Sequence, residues 1–197
     1  NILHNTLPLH TITSDKLAAA GQQWSGKFDH LPRPYIAVLV GGHSGHHTLS
    51  ADKAVYLAEQ AAATARAREG SLLVTTSART PAPVAAAMQA AIDVPNYFFT
   101  WTRDARENPY YGYLALAGAF VVTGDSISML TEACATRKPV YIFDIAKRHG
   151  NCGWLKNWRT IRPTAMVNRV ATALAPRRMV RDVGVIHRQL IAAGRAV

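Results

Sequence analysis

VVTGDSISMLTEACATRKPV, Val121 to Val140, is the stretch whose reading decides the fold. Its apolar start completes a strand, Phe120–Thr123. Gly124 permits a sharp exit from that strand, and Asp125 or Ser126 is placed to cap a helix over Ser126–Ala135. A second apolar run, Val140–Phe143, follows at once. Strand, helix and strand in so short a span predict a βαβ unit, which demands a parallel pair.

Working outward, the same grammar repeats. Ile36–Val40 is a continuous apolar run ending in Gly41-Gly42, followed by a helix over Ser50–Ala67 with Ser50 as its cap. Ser71–Thr75 reads as the second strand, with a helix from about Pro81 to Ala91. Tyr97–Trp101 reads as the third strand, and Leu114–Ala117 as a short helix. The strands lack period-2 alternation, as expected of a parallel sheet covered on both faces. The prediction is an α/β, Rossmann-like three-layer domain with a five- to six-stranded parallel sheet and C-terminal helices. Residues 1–30 form a lead-in and a helix near Ser14–Phe28, capped by Ser14 or Asp15. Residues 31–160 form the Rossmann-like domain, and residues 161–197 form helices, broken at Pro163 and Pro176, that pack on it. Leu31-Pro32-Arg33-Pro34 is a connector, because each proline disfavours helix in the residue before it.

In an open parallel sheet, ligands bind beyond the carboxyl ends of the strands. After the first strand, Gly41 and Gly42 with Ser44 let backbone N–H groups approach an anion. His43, His46 and His47 stand there too, but no carboxylate or cysteine is near in sequence, so no metal is expected. After the second strand, Ser77 and Arg79 are suited to phosphate, and Thr80 is a natural helix cap. After the third, Asn108-Pro109-Tyr110 reads as a turn and helix start in a segment whose aromatics could stack on a base or sugar. The fourth loop carries the clearest signal. Ser126 and Ser128 lie in the first helical turn, where N–H groups lack partners. Met129 is beside them, and Glu132 follows Ser126 by six residues, within about 60° of the same helix face. A diphosphate at the helix start leaves Glu132 within reach of a ribose. The plain alternatives are capping for Asp125 and Ser126, and a solvated helix residue for Glu132.

Composition bounds the rest. The chain has 197 residues, 49% of them hydrophobic, which supports one good-sized core. No apolar run nears the ~20 residues needed to span a bilayer, and no signal peptide is visible. The first residue is Asn1 rather than Met, so the chain reads as part of a longer protein. Of the two cysteines, Cys134 falls on a predicted helix and Cys152 in a loop. A reducing, cytoplasmic setting fits that usage better than a disulfide framework. Residues 1–132 carry 9 Lys/Arg against 10 Asp/Glu, whereas residues 133–197 carry 13 against 2. The basic excess in the last third attracts polyanions, foremost an anionic membrane surface contacted peripherally. Specific nucleic-acid binding ranks below this, because the arginines are scattered among Ala and Val with no recognition motif. A dehydrogenase or epimerase is rejected, since the first loop lacks a proper GxGxxG and no Tyr-x-x-x-Lys pair occurs.

The segments PRPYIAVLVGG, LLVTTSART and ENPYYGYLALAGAFVVTGDSISMLTEACATRKPVYIF together resemble the mitochondrial-fission Elm family of plant fission factors and bacterial homologues. The resemblance runs from about Leu31 to Phe143 and in turn implies similarity to the C-terminal domain of GT-B glycosyltransferases. That similarity implies nucleotide-sugar binding without a cofactor or metal. Gly124, Ser126, Ser128 and Met129 would surround the diphosphate or base edge, and Glu132 would hold the ribose hydroxyls. Gly41, Gly42 and Ser44 would line an interdomain cleft, and Arg79 would face phosphate. No catalytic residue is assigned, because the acceptor site and usual base would lie on a separate N-terminal domain. Two departures bear on this. His43-Ser44-Gly45-His46 stands where the family carries Asn and a basic residue, and Ala78 replaces one basic residue of the TTS segment. The fission role of the plant relatives implies an alternative, a non-catalytic module that docks to membrane or to a partner.

Overall fold

The computed structural model describes residues 8–42, 48–145 and 183–197. Its elements alternate as expected. They are α1 (Ser14–Phe28), β1 (Tyr35–Leu39), α2 (Ala51–Arg66), β2 (Ser71–Thr75), α3 (Ala82–Ala90), β3 (Asn96–Phe99), α4 (Tyr110–Leu116), β4 (Ala119–Thr123), α5 (Ile127–Ala135), β5 (Val140–Phe143) and α6 (Val183–Ala192). The sheet is wholly parallel, in the order β3-β2-β1-β4-β5. That is the doubly wound order, with its direction of winding reversed between β1 and β4. Pro163, Pro176 and Cys152 lie outside the described residues.

Burial on both faces explains the continuous apolar strands. Along β1, Tyr35, Ala37 and Leu39 enter one core, and Ile36 and Val38 enter the other. The first core is closed by Trp24 and Phe28 of α1, Tyr113 and Leu114 of α4, and Ile127 and Leu130 of α5. Leu190 of α6 and Ala196 join the same core. The second core is closed by α2 and α3. Ala54, Leu57, Ala58, Ala61 and Ala65 recur at three- and four-residue spacing, so one small-residue stripe of α2 packs closely on the sheet.

One buried and one half-buried polar group are satisfied by backbone. The Tyr113 hydroxyl reaches the carbonyls of Tyr97 (3.2 Å) and Val74 (3.3 Å). Lys138 donates to the carbonyls of Leu114, Ala115 and Ala117 at 3.2, 2.7 and 2.7 Å, closing the C-terminal end of α4 where a cation is favoured. Burial lowers the Lys138 pKa from its ordinary value. At the β5 edge, Val197 donates to Val140 and accepts from Ile142, both at 2.9 Å, which is the parallel pairing pattern.

Three caps differ from the expectation. Thr13, not Ser14 or Asp15, caps α1, its hydroxyl accepting from Lys16 N–H at 3.3 Å. The N-cap position of α3 is Pro81, and Thr80 is turned away from it. Ser126 occupies the cap position of α5 without a side-chain capping bond, and Asp125 points elsewhere. Ser50 caps α2 as expected.

Candidate functional site

The loops after β1, β2 and β4 meet at the reversal of strand order. Asp125 organises them. Its carboxylate is fully buried, accepts from Gly42 N–H at 2.9 Å, and pairs with the Arg79 guanidinium at 2.9 Å. The second carboxylate oxygen, Oδ1, is buried with no hydrogen-bond partner among the described residues. Gly41 N–H donates to the Thr123 hydroxyl at 2.7 Å. The chain's own oxygens therefore engage both glycine N–H groups. The glycines serve close approach. A Cβ on Gly41 would lie 2.3 Å from the Asp125 carboxylate, and one on Gly42 would lie 2.1 Å from the Arg79 carbonyl.

Ser77 and Thr80 complete this junction. The Ser77 hydroxyl bonds the Gly41 carbonyl at 3.0 Å, and Thr80 donates to the same oxygen. Thr80 Oγ1 also accepts from Ser77 N–H at 3.0 Å. Thr80 is thus a strut between the first two loops, which is why it does not cap α3.

Beside the junction opens a cleft of about 380 Å³, a size suited to a small ligand. Ser77 and Arg79 border one side, Ser126, Ser128 and Met129 another, and Glu132, Asn108, Tyr110 and Trp101 the far end. The N-terminus of α5 is at this cleft. Ser126 is buried, Ser128 exposed and Met129 half-buried. No side-chain cap closes the helix start. Glu132 is not a free solvated residue: it is half-buried and accepts the Tyr110 hydroxyl at 2.5 Å. Burial and the adjacent carboxylate both push the Tyr110 pKa up, so the phenol stays a donor. Asn108 sets Tyr110 in place, its side-chain oxygen accepting Tyr110 N–H at 3.0 Å.

Of the expected residues, Ser77, Arg79, Asn108, Ser126, Ser128, Met129 and Glu132 thus share one cleft. Gly41, Gly42, Thr80 and Asp125 form the junction behind it. Gly124 lies at the end of β4, where its carbonyl is 2.9 Å from His187 Nε2 on α6. Ser44, His43, His46 and His47 lie outside the described residues. Among the described residues, no group of three His, Cys, Asp or Glu side chains is gathered as a metal site.

Sequence reasoning did not place Thr75 or Thr76 in the site, and noted Trp101 and Tyr110 only through the aromatics of the third loop and the helix start; all four line the cleft. Trp101 is held by its backbone N–H, which donates to the Thr76 hydroxyl at 2.9 Å. The aromatic richness of the third loop was the available signal. A second cavity, about 340 Å³, lies between α2 and the sheet. Leu57, Ala61, Val121 and Phe143 make it mainly apolar, and among the described residues no helix start faces it.

Comparisons with known proteins agree with the resemblance. The Arabidopsis thaliana mitochondrial fission protein ELM1 is 34% identical over 142 residues, covering 72% of this chain and 33% of that protein. An uncharacterised Rickettsia prowazekii protein is 29% identical over 136 residues, covering 68% of this chain and 38% of that protein. The chain matches about a third of the length of the first relative and 38% of the second. No described helix is long and apolar enough to cross a membrane. The family profile described as mitochondrial fission ELM1 matches residues 1–177, and the chain belongs to that family.

Proposed function

We propose that the cleft binds a nucleotide diphosphate sugar. The observation that carries this reading is the pairing of an uncapped helix start with a carboxylate on the same cleft wall. The helix dipole and the N–H groups of Ile127, Ser128 and Met129 favour a diphosphate at the helix start, whereas Ser126 N–H itself donates to the Thr123 carbonyl. Glu132 stands six residues further, an axial rise of about 9 Å, which matches the span from a diphosphate to a ribose. Arg79 adds positive charge at the phosphate end, although Asp125 already neutralises much of it. Gly41 and Gly42 act as a scaffold in this reading, since their N–H groups have internal partners. Sugar transfer by the whole protein would displace the nucleotide diphosphate at the anomeric carbon. The acceptor site and catalytic base would come from outside this chain.

Calorimetry with UDP-, GDP-, ADP- and CMP-sugars and their nucleotides tests the reading. Binding by one nucleotide class is expected, weakened about tenfold or more by Ser126→Ala or Glu132→Ala without loss of folding. No binding across the panel overturns it.

A second reading follows from the fission role in the plant relative's name. The basic excess of residues 133–197 would then dock to an anionic membrane. Sedimentation with phosphatidylserine vesicles at two salt concentrations tests it. Absent or salt-insensitive binding contradicts it.

A further inference from the structure

The Tyr110–Glu132 contact joins α4 and α5 at the cleft. Tyr110 is the first residue of α4, and Glu132 lies on α5. Tyr110 is itself fixed from three sides. Asn108 accepts its N–H, Tyr111 packs against its ring edge-on at 5.8 Å between centroids, and the ring contacts the first core. Among the described residues, the hydrogen bond to Glu132 falls on Oε2 and comes from the Tyr110 phenol. A carboxylate held on one oxygen has a defined plane, so its remaining lone pairs address a fixed point in the cleft.

We propose that Tyr110 is a specificity-determining positioning residue, which orients Glu132 so that the cleft selects ribonucleotides over 2′-deoxyribonucleotides. This rests on the nucleotide-diphosphate reading above and extends it to the sugar of the nucleotide. Two vicinal hydroxyls donate to the oriented carboxylate. A 2′-deoxy ligand offers one, and leaves an acceptor at the cleft wall without its donor. A site built to hydrogen-bond a hydroxyl discriminates strongly against the analogue lacking it, because its own polar group is then unpaired. Without Tyr110 the carboxylate turns toward water, and both sugars meet a similar, disordered acceptor. Tyr110 itself touches Glu132 rather than the diphosphate, so the phosphate end is unaffected.

The test is titration of the chain with ADP, GDP and UDP, their 2′-deoxy counterparts, and inorganic pyrophosphate. The wild type is expected to prefer the ribo form of whichever base it binds by about tenfold or more. Tyr110→Phe is expected to reduce that preference to under about threefold, with ribo affinity falling more than deoxy affinity and pyrophosphate affinity unchanged. Glu132→Gln, which retains an acceptor for the phenol, should reduce it as well. Equal ribo and deoxy affinities in the wild type would overturn the selectivity and leave nucleotide binding standing. Equal losses for ribo, deoxy and pyrophosphate in Tyr110→Phe would reduce Tyr110 to a structural role and overturn the proposal. Failure of every ligand to bind the wild type would remove the nucleotide reading itself and this inference with it. Thermal melting of each variant separates unfolding from lost selectivity.

Discussion

The Asp125 carboxylate and the Arg79 guanidinium meet at 2.9 Å across the point where the sheet reverses its winding, the carboxylate buried and the guanidinium partly open to solvent. In most doubly wound domains that crevice is the natural place for a ligand anion. Here an internal carboxylate sits behind it and ties the Gly41-Gly42 turn to α5 and to the loop after β2.

The two members of this pair should therefore be unequal and coupled. Arg79→Met leaves a buried carboxylate with one backbone donor, and should cost about 2 kcal/mol. Adding Asp125→Asn removes the stranded charge while keeping an acceptor for Gly42 N–H. The double variant should recover about 1 kcal/mol relative to simple addition of the two losses. Urea denaturation of the four proteins reads the coupling, and strict additivity would contradict it.

The glycines predict a graded series. Alanine at Gly42 places Cβ against the backbone carbonyl of Arg79, which cannot swing away. The expected loss is about 3 kcal/mol. Alanine at Gly124 places Cβ 2.4 Å from His187 Cε1, the far end of a side chain that can move. Its cost should be smaller, about 1 kcal/mol, arising from lost contact with the Gly124 carbonyl. In a His187→Ala background the Gly124→Ala cost should nearly vanish. A cost unchanged by His187→Ala would show that α6 does not rest on this loop.

Alkaline stability carries a sign that can be checked. Burial raises the phenol pKa values of Tyr110 and Tyr113 above their ordinary 10.0. Their contribution is fully present below that unfolded value and is lost as pH rises beyond it. Lys138 works in the opposite sense, because burial disfavours its charged form and high pH relieves that cost. With two phenols against one amine, the urea midpoint should fall above about pH 10. Tyr113→Phe should be less stable at pH 8, having lost two carbonyl contacts, yet show a shallower alkaline fall. An equally steep fall would contradict the assignment.

Much of the fold is legible in the sequence because a parallel strand buried on both faces must be apolar at every position. Ile36–Val40 satisfies this throughout and Phe120–Thr123 up to its last residue, whose hydroxyl takes the Gly41 N–H, and both differ from β1 and β4 by no more than one residue at either end. The third strand was harder. Thr100 and Trp101 are as β-prone as Phe99, but Trp101 N–H pairs with the Thr76 hydroxyl rather than continuing the ladder. Caps misled for a related reason. Thr80 and Asp125 have side chains suited to capping, and the same oxygens serve equally well across loops. Thr80 reaches Gly41, and Asp125 reaches Gly42 and Arg79. Such contacts span 39 to 83 residues of sequence and have no local signature. The Tyr110–Glu132 contact has the same character. Asn108-Pro109 announces a helix start at Tyr110, but nothing nearby announces that its hydroxyl meets a carboxylate on α5.

The central claim is that a nucleotide diphosphate lies on the N-terminus of α5 with its ribose on Glu132. A crystal structure of the chain grown with the tightest-binding nucleotide diphosphate tests this most directly. The account predicts diphosphate density within hydrogen-bond distance of the Ile127–Met129 backbone, and ribose hydroxyls on the carboxylate of Glu132. Nucleotide density in the apolar cavity beneath α2, or at the cleft with its ribose turned away from Glu132, would contradict it.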